Sequence, residues 1–222
     1  MSEIQTERQT NNHEKPTYYD IDTLLGMIEG PNGEACRRIY DDYRDKFEVG
    51  LGSSSNHQFW PGGYIDHVTD AMNIGAKVYE TYNELRPLPF SVSDVLLIVY
   101  LHDLEKPYKY LIHEDGQLYR RNDLLQKDAD EAFKREIINR YSIEFTPLQE
   151  NALEFVEGIR DHKYEKSRRV MGELAVVCHI ADLTSARLWY NHPLAEDDPW
   201  AGSARTNPAA RSVSLPSEFF ES

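Results

Sequence analysis

Seven consecutive apolar residues, at positions 95–101, end directly in the adjacent pair His102 and Asp103. A run that is apolar on every side belongs in a protein core, either as a central buried helix or as a strand. Ser91 and Asp94 form a capping-box pattern just before the run, which together with its leucine content favours a helix. His102 and Asp103 are therefore expected to lie at the end of a buried segment, within or next to the core. A buried His and Asp need each other or a metal ion, because unpartnered buried polar groups are costly.

Helical spacing also dominates most of the remaining chain. A long helix is expected from Gly63 to about Leu85, and the last long helix from about Gly172 to Tyr190. Shorter amphipathic sets occupy positions 21–28, closed by Gly30 and Pro31, and positions 35–47, and a capping pattern at Thr146 starts another helix. Only residues 108–121 suggest strands, as a hairpin around Asp115 and Gly116. The predicted fold class is all-α, a helical bundle with at most a small β-hairpin.

The two ends of the chain differ in composition from its centre. Residues 1–17 are polar and are predicted to form a flexible N-terminal segment. Residues 194–222 include a Pro-, Ser- and Ala-rich stretch and are predicted to form an irregular C-terminal tail. A length of 222 residues suits one sizeable domain, expected over residues 18–193.

Composition and charge exclude several classes of protein. The formal net charge of -14 repels a phosphate backbone, so tight binding of long nucleic acid is not expected, although a small anion can enter a local basic cleft. No apolar stretch approaches the ~20 residues that span a bilayer, so no membrane partner is expected. The polar N-terminus and the presence of only two cysteines indicate a cytoplasmic protein without a disulfide scaffold.

His67 and Asp182 add a second imidazole and a second carboxylate to the pair at positions 102 and 103. Nitrogen and oxygen ligands together suit divalent Mn, Fe, Co, Ni or Zn. A site with so few protein ligands keeps positions for water and substrate, which indicates a hydrolytic centre rather than a closed structural one.

Two further histidines lie close to these candidates in sequence. His179 and Asp182 are one helical turn apart, so they share a face, although a neutral core histidine bonded to an aspartate explains that spacing as well. His57 and His67 flank the sequence Trp-Pro-Gly-Gly, whose glycines permit a bend that brings the two together. An ordinary loop before a helix is the alternative.

Together these segments resemble the HD-domain metal-dependent phosphohydrolase superfamily, whose defining order is His, His-Asp, Asp. Residues 57–67 read HQFWPGGYIDH, residues 101–107 read LHDLEKP, His162 follows, and residues 179–182 read HIAD. The His-(x)4-Gly-Gly-(x)3-His spacing is similar to that of the branch containing the YhaM-type 3′–5′ exoribonucleases. The resemblance covers roughly residues 50–190.

The resemblance implies an all-α HD-type domain with one or two divalent ions: Mn2+, Fe2+, Co2+, Ni2+ or Zn2+, with Mg2+ also compatible. The residues that match its metal ligands are His67, His102, Asp103 and Asp182. Candidates for ligands of a second ion, or for residues that support the first site, are His57, His162 and His179.

The resemblance also implies catalytic and substrate-binding candidates. Asp103 is expected to bridge two ions or to orient the nucleophile. Lys106 matches the lysine of the common His-Asp-x-Gly-Lys form, where it would contact phosphate, whereas Glu105 replaces the usual glycine and adds a carboxylate near the site. The weaker candidates for offsetting substrate charge, for which solvated surface is the alternative, are Lys109, Lys163, Arg168 and Arg169.

The expected function is hydrolysis of a phosphomonoester or phosphodiester bond, in a nucleotide or another small phosphorylated molecule, by water activated on the metal. One alternative is a 3′–5′ exonuclease acting on short oligonucleotides. The others are a nucleotide-binding or regulatory HD module without turnover, and a metal site that only stabilises the bundle. The sequence leaves open whether the chain forms a homo-oligomer.

Overall fold

A computed structural model describes residues 15–112, 118–159, 170–192 and 198–203. The protein is mostly helical, which confirms the predicted all-α class. Its helices are α1 (Ile21–Gly26), α2 (Gly30–Phe47), α3 (Gly63–Leu85), α4 (Val92–Leu101), α5 (Lys106–Lys109), α6 (Lys127–Arg140), α7 (Pro147–Phe155) and α8 (Glu173–Leu183). A short 3-10 turn (Asn122–Leu124) precedes α6, and a π-helical segment (Thr184–Leu188) follows α8. The strands are β1 (Tyr110–Ile112) and β2 (Leu118–Arg120).

Helix α4 forms the centre of the core, as its apolar run predicts. Every residue from 95 to 101 is buried, and α4 packs against α3, α7 and α8. The Ser91 side chain accepts from the Asp94 backbone, and the Asp94 carboxylate accepts from the Ser91 backbone, so the predicted capping box is present. The helix ends at Leu101, which places residues 102 and 103 at the inner end of the core.

Helix α3 begins and ends where the sequence predicts, at Gly63 and Leu85. Its N-cap, Gly62, has a left-handed backbone with φ of 80°, a conformation that side chains with a Cβ rarely adopt. A Cβ on Gly63 would lie 1.8 Å from the carbonyl oxygen of Gln58. Both glycines are therefore required by the tight turn through which the chain enters α3.

The last long helix differs from the prediction of one regular helix to Tyr190. Helix α8 ends at Leu183, and the backbone continues as the π-helical segment Thr184–Leu188. A π-turn accommodates an extra residue and rotates the following side chains relative to an α-helix. Ser185 is consequently fully buried and faces α3.

Two other local differences have simple causes, whereas the predicted hairpin is present. Gly30 and Pro31 begin α2 and do not close α1, since proline is suited to the first helical turn. Helix α6 was not expected, because its highly charged sequence has a weak apolar pattern. Strands β1 and β2 pair antiparallel as the predicted hairpin requires, although Asp115 and Gly116 lie outside the described residues.

Parts of both predicted terminal segments contact the helical body. Thr17 forms a bridge with Ala201, and the rings of Tyr18 and Trp200 meet edge to face with centroids 5.4 Å apart. Residues 198–203, inside the predicted irregular tail, thus pack on the start of the domain. Residues 1–14 and 204–222 lie outside the described residues, so the predicted boundaries at 17 and 194 stay predictions.

None of the helices in the described part of the chain is both long enough and apolar enough to cross a bilayer.

The turn before α3 provides a test of the fold. Gly63→Ala should lower the free energy of unfolding by more than about 2 kcal/mol, because the new Cβ forces the Gln58 carbonyl to move. Urea unfolding of the two proteins measures the difference. Gly26→Ala is the matched control: a Cβ there has no heavy atom within 4 Å and should be neutral or slightly stabilising. Equal stability of the Gly63 variant and wild type would contradict the close approach.

Candidate metal centre

Four predicted ligands from three helices meet at the inner end of the core. His67 lies on α3, Asp182 lies on the last turn of α8, and His102 and Asp103 follow α4. The imidazoles of His67 and His102 are 0% exposed and the Asp103 side chain is 1% exposed. The Asp182 side chain is 16% exposed, so among these four ligands the cluster is most open to solvent at Asp182.

The ligand atoms converge on one point. Nε2 of His102 lies 3.1 Å from Oδ2 of Asp103 and 3.4 Å from Oδ1 of Asp182. Nε2 of His67 lies 3.5 Å and 3.3 Å from the same two oxygens. Because metal–ligand bonds of ~2.1 Å at angles of 90–110° separate neighbouring ligand atoms by about 3.0–3.4 Å, these distances fit a cation shared by His67, His102 and Asp182. Asp103 adjoins this group through its contacts with the two imidazoles. His67, His102 and Asp182 form a buried group that can bind a metal ion.

The outer nitrogens of both imidazoles are held by the protein. Nδ1 of His102 donates to the carbonyl oxygen of Val99, 2.6 Å away, so in the neutral ring Nε2 carries a lone pair. Nδ1 of His67 lies 3.1 Å from the hydroxyl of Ser185. Such outer hydrogen bonds orient metal-binding histidines and fix their tautomers.

Several inward-facing atoms lack a hydrogen bond. Among the described residues, Nε2 of His67, Nε2 of His102 and Oδ1 of Asp103 are buried and have no hydrogen-bond partner. Leaving such groups unsatisfied costs about 1–3 kcal/mol each, and more when they are charged. A divalent cation would satisfy both imidazole nitrogens at once, so the residues present fit a metal ion.

The electrostatics of the cluster favour positive charge at its centre. Burial opposes ionisation of the Asp182 carboxyl, but the imidazoles of His102 and His67 outweigh it and lower its pKa. Burial likewise opposes protonation of His102, but the Asp103 carboxylate outweighs it and raises its pKa well above the usual range. Without a metal, protons therefore take the place of the missing cation.

Lys106 lies directly beside the ligands. Its ammonium contacts Oδ2 of Asp103, and its side chain is 15% exposed. Burial disfavours the charged amine, but Asp103 and Asp182 outweigh this and raise its pKa. The lysine is thus held as a cation at the edge of the cluster.

A polar cavity of about 360 Å³ lies against the open side of the cluster. It is lined by Ser53, Ser54, Asn56, His57, Glu105, Lys106, Lys109, Tyr110, Asp130, Glu157, His179, Asp182, Leu183, Ala186 and Arg187. The predicted residues Glu105, Lys106, Lys109, His57 and His179 therefore all reach one space.

Glu105 supplies a buried carboxyl in this wall. Burial is the main cause of its raised pKa, about 7, and the neighbouring Asp103 carboxylate raises it further. Lys134 on α6 lies nearby and donates from Nζ to the carbonyl oxygen of His102 at 3.1 Å. A protonated Glu105 donates a hydrogen bond near neutral pH, which an ionised carboxylate cannot do.

The other candidates are placed as follows. Lys109 is paired with Asp130 at 2.6 Å, so its charge is already offset. Nδ1 of His179 donates to the carbonyl oxygen of Val156 at 2.7 Å, and its ring lines the cavity.

The ring of His57 lies 4.7 Å from that of His67, so the predicted bend does bring them together. The remaining candidates, His162, Lys163, Arg168 and Arg169, lie outside the described residues.

Sequence reasoning missed four residues that build the site: Gln58, Lys134, Ser185 and Arg187. Arg187 lies five positions after Asp182, and both residues line the cavity. In a regular α-helix two residues five positions apart lie on different sides of the helix, whereas the wider π-turn at Thr184–Leu188 brings them to the same side. Ser185 faces inward for the same reason. Lys134 resembles any surface lysine of a charged helix, and no local signal distinguishes it.

No protein-family model, curated protein or solved structure matches the chain. The interpretation of the site therefore depends on its own geometry.

The cluster predicts metal binding that stabilises the fold. Zn2+ or Mn2+ at 100 times its Kd should raise the free energy of unfolding by about 2.7 kcal/mol. His102→Ala and Asp182→Ala should largely lose this gain, because each removes a ligand. Thermal unfolding with and without chelator measures it, and Asp41→Ala on the exposed face of α2 is the control. Unchanged metal binding in His102→Ala would disprove the ligand assignment.

Glu105 predicts a pH dependence of the metal-free protein. The carboxyl loses its proton near pH 4.5 when unfolded and near 7 when folded. Between these values the folded state holds the extra proton, so wild-type stability falls as pH rises. The glutamine in Glu105→Gln does not titrate, so this variant does not lose stability in the same way. Its free energy of unfolding relative to that of wild type should therefore increase from pH 4.5 to 7.5 by up to about 3 kcal/mol.

Urea unfolding of chelated Glu105→Gln and wild type at both pH values measures the change. Glu34→Gln, exposed on α2, is the control and should show no such trend. A difference between Glu105→Gln and wild type that is the same at both pH values would mean that Glu105 is not a perturbed carboxyl.

Proposed function

We propose that this protein is a metal-dependent phosphohydrolase of the HD-domain superfamily, acting on a small phosphorylated molecule, with a nucleotide as the expected class. The observation that carries the proposal is the buried two-histidine, two-carboxylate cluster, which is most open at Asp182, toward a cavity that also holds Lys106. A metal that served only to stabilise the bundle would need neither the opening nor the lysine.

The arrangement of the ligands along the chain supports the superfamily assignment. A histidine within a long helix, a His-Asp pair at the end of a buried helix, and an aspartate in a later helix all turn toward one point. The order matches that of the superfamily, and helix packing brings the separate motifs together. The convergence of the motifs in space supports the proposal beyond their order in the sequence.

The donor set limits the choice of metal. Two imidazole nitrogens and carboxylate oxygens suit Mn2+, Fe2+, Co2+, Ni2+ or Zn2+, whereas Mg2+ prefers oxygen ligands and water. His67, His102, Asp103 and Asp182 would hold the ion. When bound, such an ion supplies positive charge that polarises a phosphoryl oxygen and makes water more acidic.

The protein's own cations would orient the phosphate. Lys106 places an ammonium beside Asp103, where it donates hydrogen bonds to a phosphoryl oxygen that approaches the cluster. Arg187 lies exposed at the rim of the cavity and makes no hydrogen bond or ion pair with the described residues. Its planar guanidinium suits bidentate binding of a phosphate.

The dimensions and charge of the cavity favour a small substrate. A volume of about 360 Å³ lies in the range of small-molecule sites. The net charge of -14 repels a long polyanion outside the cavity, while a single phosphate needs only local cations. These features favour a mononucleotide or a similar molecule over an oligonucleotide.

Metal-reconstituted protein should hydrolyse one or more members of a panel of nucleoside mono-, di- and triphosphates, cyclic dinucleotides and short RNAs, measured by product release. Asp103→Ala should lose this activity while it remains folded. Binding of a nucleotide without hydrolysis, at saturating metal, would disprove the enzymatic proposal and favour a regulatory module.

The role of Lys106 provides a sharper prediction. Lys106→Ala should keep its metal, because the ammonium is not a ligand, but should lower kcat/KM by about tenfold or more if the charge acts on the transition state. Lys106→Arg should restore only part of the rate, since its fork geometry differs. Lys77→Ala, which removes a lysine that is 50% exposed on α3, is the control. A wild-type rate in Lys106→Ala would exclude the phosphate-binding role.

A further inference from the structure

Gln58 is a buried polar residue at a strained position beside the metal centre. It is 0% exposed, and its backbone has φ of 39°, in the left-handed region that residues other than glycine seldom adopt. Its backbone N–H donates to the carbonyl oxygen of Tyr190 at 2.8 Å. Strain of this kind persists only where surrounding contacts hold it, and it is concentrated at functional sites.

The side-chain amide of Gln58 can be oriented in one way only. Nε2 lies 2.8 Å from the carbonyl oxygen of His192 and 3.4 Å from that of Ser185. Carbonyl oxygens only accept hydrogen bonds, so this end of the amide must be the NH2 group. The opposite end is therefore Oε1, which lies 2.8 Å from Nδ1 of His57.

This orientation decides the tautomer of His57. Because Oε1 can only accept, Nδ1 of His57 must carry the proton and donate it. In the neutral ring, Nε2 is then left with a lone pair. His57 lines the cavity, and its ring centroid is 4.7 Å from that of His67. Its ring therefore borders both the cavity and the ligand histidine His67.

The same amide supports a metal ligand through a second contact. Nε2 of Gln58 lies 3.3 Å from the hydroxyl oxygen of Ser185, and this oxygen lies 3.1 Å from Nδ1 of His67. One buried amide thus connects the cavity histidine at one end with the π-segment and the ligand histidine at the other. A substitution at position 58 would disturb both.

We propose that Gln58 is a positioning residue that fixes His57 with its proton on Nδ1, and that Nε2 of His57 accepts a hydrogen bond from the water that attacks phosphorus. The attacking water must lie between the metal cluster and the cavity. His57 lines the cavity and its ring also packs against the ligand His67, which places its Nε2 lone pair where it can reach that water. The role of His57 in hydrolysis rests on the proposed function, whereas the tautomer fixed by Gln58 does not.

Nitrogen NMR of the histidine rings tests the tautomer directly. Zn2+-loaded full-length protein with 15N-labelled histidines should show His57, assigned from its loss in His57→Leu, protonated at Nδ1 and unprotonated at Nε2. Gln58→Met removes the acceptor and should shift the proton toward Nε2. Gln126→Met, at an exposed position, should leave the His57 signals unchanged.

A wild-type proton on Nε2 of His57 would overturn the proposal, and this spectrum needs no variant at position 58. Retention of the Nδ1 proton in folded Gln58→Met would also overturn it, because Gln58 would not be the residue that fixes the tautomer.

Kinetics test the role of His57 on the best substrate from the panel. His57→Leu should lower kcat by about tenfold or more, with KM nearly unchanged and metal content unchanged. His57→Gln, whose amide oxygen can take the place of Nε2, should recover part of kcat. A wild-type kcat in His57→Leu overturns the role while the proposed function stands. If wild type hydrolyses nothing, the proposed function and the water contact both fail, and the NMR result still decides the role of Gln58.

Discussion

The rest of the site depends on one close approach: the imidazoles of His67 and His102 and the carboxylates of Asp103 and Asp182, all hydrogen-bond acceptors when deprotonated, meet at the inner end of the core. Nε2 of each imidazole lies 3.1–3.5 Å from an oxygen of each of the two carboxylates, and three of the four side chains are fully buried or nearly so. Like partial charges repel strongly at that distance in a medium of low dielectric constant. The packing of α3, α4 and α8 holds them there, so the folded core itself supplies the affinity for a cation. Stability and cation binding are therefore linked, and either protons or a metal ion must accompany folding.

Two irregular backbone segments make this geometry possible, and they contact each other. The left-handed turn at Gln58 leads into α3, and the π-segment follows α8. Each alone leaves polar groups that a regular helix would satisfy. Gln58 joins them by two donated hydrogen bonds: its side-chain amide donates to the carbonyl of Ser185, and its backbone N–H donates to the carbonyl of Tyr190, two residues after the π-segment. The strain at one segment is thus offset by the bonds of the other, and the histidines at positions 57 and 67 are oriented by the result.

The sequence predicted those parts of the site that depend on local pattern. The buried run before His102, the capping box at Ser91 and the bounds of α3 follow from periodicity and side-chain chemistry, and the structure reproduces each of them. The α8 prediction was wrong beyond Leu183, because the choice of a π-turn depends on long-range partners: Ser185 has His67 and Gln58 to bond. The sequence pattern at 184–188 carries no trace of these partners, so Ser185 and Arg187 could not be placed from it.

The charges around the cavity explain how a strongly acidic chain could still admit an anion. Lys106 is held against Asp103 and Lys109 against Asp130, so two of the cations in the wall offset carboxylates. A raised pKa of about 7 leaves Glu105 partly protonated near neutral pH, which reduces the negative charge further. A metal ion in the cluster would add positive charge to this wall, opposite Arg187 at the rim. Under the proposed function, metal binding would therefore increase the attraction of the cavity for an anion.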